Sequence, residues 1–310
     1  WTPRTAPAPE TASYNGPAMT EPTPTPRCLL AATDFSAPAT LALQRAALLA
    51  REHGAALHLA HVLNRRWLDE LRQWLRADTP WAAQLHDAAQ AQLQASTQAL
   101  GTPAQTTLLD GEPVPALCAL AQDLQAELLL IGARSDPPLH QRVLGGTAER
   151  LLRQSGVPLL VVRQAAAQPY RRVLVPVDFS RWSLPTLRLV QALAPRATLV
   201  LHHGFTVPFE EKLRFAGVSD DLLSDYREHA RVQARDALLA LAREAALPDT
   251  AWQPSVSEGD TPQRILEVAV AQRCDLIAIG KHGRQAAEEL LLGSVTRHVL
   301  EEAEGDVLVS

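Results

Sequence analysis

The sequence predicts an α/β protein of two tandem doubly wound domains, each a five-stranded parallel sheet with helices on both faces. Three observations carry that prediction. The chain repeats itself: Cys28–Ser36 and Val173–Ser180 are both apolar runs ending in Asp-Phe-Ser, Ala126–Gly132 answers Cys274–Gly280, and Val143–Arg150 answers Leu291–His298, always in the same order. Short runs of Val, Leu and Ile are nearly continuous rather than alternating, as in strands buried on both faces. Longer stretches with helical spacing separate them, which is what right-handed crossovers between parallel strands require.

Taken in order, residues 1–26 are dominated by Pro, Thr and Ala and hold too little apolar surface to offset ordering, so they lie outside the fold. They contain no apolar core of a signal peptide. The single methionine, Met19, reads either as a natural start with 1–18 upstream of it, or as part of a disordered extension. The first domain spans 27–164. Its strands are expected at 27–33, 55–62, 104–109, 127–132 and 158–163, with helices at 37–53, 81–100 and 113–126. Between them, 65–81 is an insertion in which Trp67, Trp74 and Trp81 recur every seven residues on one helix face. That face either packs on a domain or offers a partner groove. Residues 165–169 (AAAQP) are the linker. The second domain, 170–310, has strands expected at 171–177, 197–203, 251–256, 274–280 and 305–309 and helices at 219–246 and 261–273, with a last helix opening at Gly293-Ser294. The 219–246 helix is the expected counterpart of the Trp-bearing insertion. Ser36 and Ser180 sit where N-caps would, and Asp260 and Pro262 suit a helix start.

Composition narrows the function classes. With 29 Lys and Arg against 34 Asp and Glu, the net charge is −5, which argues against a nucleic-acid binder held by a dominant basic surface. No apolar run approaches the roughly 20 residues that span a bilayer. Three well-separated cysteines imply neither a disulfide framework nor a metal site, and a reducing cytoplasm is the expected compartment. Cys118 and Cys274 read as small buried hydrophobes. His58, His61, His202 and His203 lie on second strands, where neighbouring residues face opposite ways, so His202 and His203 cannot share an ion from one face.

Ligands of doubly wound sheets bind outside the carboxyl ends of the strands. There stand Asp34 and Asp178 after the first strands, Val62 and Gly204 at the second, and Gly132 and Gly280 at the fourth. In the second half Gly280-Lys281-His282-Gly283 follows the strand directly, and nine residues later Gly293-Ser294 opens a helix. Glycines there are expected to let the backbone turn sharply and approach a ligand closely. The helix start offers bare N–H groups to an anion. Ser294 could cap the helix or turn its hydroxyl to a phosphate, Asp178 could accept from a sugar or base, and Lys281 and Arg284 supply positive charge. Together they describe a cradle for a nucleotide polyphosphate that is neither a Walker A loop nor a dinucleotide fingerprint. The first half departs from this pattern: Gly132 is kept, Ser135 stands in the second glycine's place, and Gly145 is followed by Gly146 and then Thr147, with Pro137 and Pro138 between. The strand-end residues Asp34 and Val62 are kept.

The Gly-x2-Gly-x9-Gly-Ser pattern at 280–294, with the Val-Asp-Phe-Ser strand end, resembles the universal stress protein family in tandem form, over nearly all of 27–310. The resemblance implies strand order 3-2-1-4-5 in each half and ATP binding where the glycine motif is kept. It also implies a cytoplasmic role in stress adaptation, and pairing through the last strands, here within one chain. It places Asp178 and Gly204, and in the first half Asp34 and Val62, at the adenosine part, and His282, Ser294, Val295 and Thr296 with the glycines around ribose and phosphates. Mg²⁺ or Mn²⁺ would arrive with the phosphates. Three readings compete: an ATP-binding regulator with unknown protein partners, a slow ATPase or self-phosphorylating protein, and an interaction module whose cavities are relics.

Overall fold

The fold was obtained as a computed structural model, described for residues 25–64, 81–133, 146–207, 209–283 and 292–310, apart from the side chains of Trp81 and Ala82. The first half runs β1 (Cys28–Ala32), α1 (Ala37–His53), β2 (Ala56–Leu63), α2 (Trp81–Leu100), β3 (Gln105–Asp110), α3 (Pro113–Asp123), β4 (Leu128–Gly132), α4 (Gly146–Gln154) and β5 (Leu159–Val162). The second runs β6 (Arg172–Pro176), α5 (Ser183–Leu193), β7 (Thr198–Phe205), α6 (Glu210–Phe215), α7 (Asp220–Glu244), β8 (Trp252–Glu258), α8 (Thr261–Ala271), β9 (Leu276–Ile279), α9 (Ser294–Glu302) and β10 (Asp306–Val309).

All ten strands form one sheet in the order β3-β2-β1-β4-β5-β10-β9-β6-β7-β8. Each half therefore has the order 3-2-1-4-5 and is parallel throughout, as expected. The halves join where β5 and β10 pair antiparallel, with Val161 opposite Val307. Alternate strand residues feed two cores. Leu29 and Ala31 enter a core covered by α1, α2, α5 and α7, whereas Leu30 enters one covered by α3, α4, α8 and α9. Both cores continue across the β5–β10 seam.

A buried carboxylate fastens that seam. Asp306, fully buried at the start of β10, accepts hydrogen bonds from the backbone N–H of Arg163 (2.8 Å) and Gln164 (3.1 Å) and from the Tyr170 hydroxyl (2.6 Å). Arg45 of α1 forms an ion pair with it at 3.3 Å, lies over the Tyr170 ring at 4.2 Å, and donates to the Gln168 carbonyl. One aspartate thus ties a first-half helix, the linker and the last strand together. Burial and the negative charge of Asp306 push the Tyr170 hydroxyl well above its ordinary range.

Several expectations are corrected. Ser36 does cap α1, accepting from the Ala39 N–H, but α5 begins at Ser183 with Trp182 as its N-cap, so Ser180 lies in the preceding turn. The α7 helix packs on β7 and β8 as α2 packs on β2 and β3, which makes α7 the counterpart of α2. Trp67 and Trp74 lie outside the described residues, and Trp81 opens α2. Cys118 and Cys274 are half-buried free thiols, each raised by burial.

Candidate functional site

In both halves the first strand ends in a strained turn. Phe35 and Phe179 take φ of 64° and 58°, a left-handed conformation unusual for a bulky residue. The preceding aspartate holds the turn: Asp34 Oδ1 accepts from the Ser36 N–H at 3.0 Å, and Asp178 Oδ1 from the Ser180 N–H at 2.9 Å and the Ser183 hydroxyl at 3.1 Å. A histidine on the second strand braces it. His61 and His203 donate through Nδ1 to the carbonyls of Thr33 and Val177, both at 2.7 Å, since a carbonyl only accepts. Their rings lie 4.3 Å and 4.6 Å from those of Phe35 and Phe179. Sequence reasoning saw these histidines only as poor metal ligands. The signal was present: both halves keep the Phe and the His at matched positions.

Beside this turn, at the carboxyl ends of the second-half strands, lies a cavity of about 420 Å³. Asp178, Gly204, Gly280, His282, Gly283, Gly293, Ser294, Val295 and Thr296 all line it. Arg284 lies outside the described residues. The turn at 280–283 and the start of α9 are stitched together: the Thr296 hydroxyl donates to the Gly280 carbonyl at 2.8 Å and the Gly293 N–H to the Lys281 carbonyl at 3.1 Å. The helix begins at Ser294 with Gly293 as an N-cap that carries no side chain. The Ser294 hydroxyl is therefore not the cap, and the first-turn N–H groups of α9 have no intrahelical partner.

The glycines form the turn without left-handed backbone. None of Gly280, Gly283 and Gly293 lies in the left-handed region; Gly293 has φ −58°. Only Gly280 is tight against protein, where a Cβ would stand 3.3 Å from the His282 carbonyl; one on Gly283 would meet Asp178 Oδ2 at 3.4 Å, an ordinary contact that leaves room on the cavity side. Lys281 also departs from its expected place near the phosphates. Its ammonium reaches across the seam and donates to the Arg153 carbonyl in the last turn of α4 at 3.1 Å, where helix carbonyls carry partial negative charge. Among the described residues the lining holds no lysine or arginine, so the anion-attracting element there is the start of α9.

Sequence reasoning missed Trp182, Thr261 and the place of His202. Trp182 walls the cavity with its ring 5.5 Å from that of His282. His202 is buried at its inner end with a pKa lowered to about 4, first by burial and then by the neighbouring His203. No motif marked these residues; only the crossing of β7, α5 and α8 brings them in.

The first half holds a matching cavity of about 350 Å³. Asp34, Val62, Gly132, Gly146 and Thr147 line it, while Ser135, Pro137, Pro138 and Gly145 lie outside the described residues. Gly132 is sterically obligatory, since a Cβ there would stand 2.4 Å from the Pro38 carbonyl carbon. Among the described residues no group of three or more His, Cys, Asp or Glu could hold a metal ion, and no helix is long and apolar enough to cross a membrane.

Known proteins resemble this chain in sequence and fold. The chain is 26% identical over 228 residues to universal stress protein Rv1996 of Mycobacterium tuberculosis, covering 70% of this chain and 68% of that one. It is 25% identical over 154 residues to universal stress protein MJ0577 of Methanocaldococcus jannaschii, covering 45% of this chain and 94% of that one. A universal stress protein structure from Archaeoglobus fulgidus superposes with a TM-score of 0.62 at 18% identity, covering 91% of this chain and 97% of the other. The structure of PA1789 from Pseudomonas aeruginosa does so with a TM-score of 0.60 at 20% identity, covering 92% of each. These likenesses speak to the fold. The universal stress protein family model matches twice, over residues 27–163 and 169–310, and the chain therefore belongs to the universal stress protein family.

Proposed function

We propose that this tandem universal stress protein is a cytoplasmic ATP-binding regulator of stress adaptation, with the nucleotide held mainly in the C-terminal cavity. The observation that carries the reading is the convergence on one cavity of an uncapped helix start, a glycine turn stitched to it, and the Asp178 turn. The helix start suits the phosphates and the glycines allow backbone to approach them. Asp178 suits the adenosine part. A volume near 420 Å³ lies within the range of small-molecule sites. Mg²⁺ or Mn²⁺ would ride on the phosphates, with oxygen ligands drawn largely from them and from water. Binding rather than turnover is favoured because Asp178, the one lining carboxylate among the described residues, is already engaged in holding its own turn. The N-terminal cavity keeps the Asp34 turn and the Thr147 helix start, and is the secondary candidate.

Purified protein is expected to release ATP on denaturation, or to bind it in calorimetry with Mg²⁺. A Cβ on Gly293 would meet protein atoms only at ordinary contact, 3.6 Å and beyond. Gly293→Val should therefore keep the melting temperature within a few degrees while weakening ATP binding at least about 10-fold by occupying the phosphate approach. Absence of both released nucleotide and binding heat in the unaltered chain would overturn the proposal.

A further inference from the structure

The two cavities are built from matched positions of the duplication, so their differences isolate what each half was given. Ala60 in the N-terminal cavity sits beside Ala32, and His202 in the C-terminal one sits in the same register beside Pro176. The fold therefore does not need a polar residue there, yet the second half buries an imidazole to 1% exposure. Burying a polar ring requires hydrogen-bond partners, which the second half supplies from β8. Nearby, Val62 is replaced by Gly204 and Pro113 by Thr261. A Cβ on Gly204 would lie 3.2 Å from the Thr261 hydroxyl, so the missing side chain lets that hydroxyl come forward.

His202 is held by two serines on one face of β8. Its Nδ1 is 3.0 Å from the Ser255 hydroxyl and its Nε2 3.4 Å from that of Ser257. A neutral imidazole offers one donor and one acceptor, and serine hydroxyls can play either part. The long Nε2 contact is the one a ligand group replaces at least cost. Around this polar edge the cavity walls are apolar, with Val177, Ile265 and Ile279. Apolar walls with a hydrogen-bonding edge suit a heteroaromatic ring. Its distance from the phosphate end fits as well: β7 lies two strands from β9, about 10 Å, roughly the reach from a nucleotide's phosphates to its base.

Resting on the nucleotide reading above, we propose that His202 and Thr261 read the hydrogen-bonding edge of a purine base, so that the C-terminal cavity selects its nucleotide by base. The N-terminal cavity, apolar at the same positions, lacks that discrimination.

The test compares ATP with purine riboside triphosphate, which lacks the exocyclic amine, by calorimetry on the full chain. Inorganic tripolyphosphate serves as a base-free competitor. The unaltered chain is expected to prefer ATP by about 10-fold or more, since a site built for hydrogen bonds rejects an analogue that leaves them unmade. His202→Ala should collapse that preference to within about 3-fold. Thr261→Val, a milder change, should narrow it too and keeps the test valid if the first variant does not fold. Equal affinity for the two nucleotides in the unaltered chain, or a preference that survives both variants, overturns the assignment. If tripolyphosphate displaces ATP, the phosphate cradle stands whatever the base result. If no probe binds, the nucleotide reading falls and this inference with it.

Discussion

His202 shows how one residue's chemistry follows from its place. Its pKa of about 4, against an ordinary 6.5, means that the folded protein resists protonating it. The unfolded chain takes up that proton near pH 6.5 and the folded chain does so only near pH 4. This contribution to stability is therefore complete above pH 6.5, declines as pH falls from 6.5 to 4, and levels off below. Its full size is about 3 kcal/mol. Urea unfolding at a series of pH values should show that decline, and His202→Ala should remove it; an unchanged acid limb in the variant would refute the assignment. The sequence displayed His202 beside His203, and strand alternation separated their faces correctly. What each does depends on partners far along the chain, Ser255 for one and Phe179 at positive φ for the other. That could not be read from either strand alone.

At the scale of elements, the two helices after the Asp-Phe-Ser turns begin differently for a reason the sequence contains. A helix starting at Arg181 would put Pro185 in its interior, where the ring clashes with the carbonyl four residues earlier. Starting at Ser183 leaves Pro185 in the first turn, where a missing N–H costs nothing. In the first half Pro38 falls in the first turn of α1, so Ser36 caps it directly. Ser36→Ala should therefore cost about 1 kcal/mol in thermal or urea unfolding, whereas Ser180→Ala should cost only a few tenths. Equal losses would contradict the difference in helix starts. The inner strands were legible to within a residue or two because parallel strands buried on both faces read as apolar runs, while the half-exposed edge strands β3 and β8 carry Gln, Thr and Ser among their apolar residues. The glycine turn was legible as a place, while its backbone conformation was not. Spacing shows where backbone comes close to something, and only coordinates show whether close approach or positive φ is the reason.

The whole molecule depends on a contact that residue patterns did not reveal. Which edge strands of two repeated sheets meet is not encoded in either sheet's periodicity, and the resemblance alone suggested the last strands. Asp306 looks in sequence like an ordinary acid before a short strand, yet three groups of the first half and Tyr170, just after the linker, converge on it. Replacing one member of such a cluster should cost far more than a surface ion pair, because the remaining charge stays buried without its partner. Asp306→Ala should destabilise the chain by about 3–5 kcal/mol, leaving Arg45, itself almost fully buried, uncompensated. Adding Arg45→Met removes that stranded charge, so the double variant should be no less stable than Asp306→Ala alone, and by a double-mutant cycle the two losses should be strongly non-additive. Simple additivity would mean that the ion pair is incidental and that strand pairing with the shared apolar cores alone joins the halves. Because the seam also carries the Lys281 contact to α4, the same variants examined by hydrogen exchange should show loss of protection concentrated in β5, β10 and residues 163–170 around the linker, ahead of the outer strands β3 and β8.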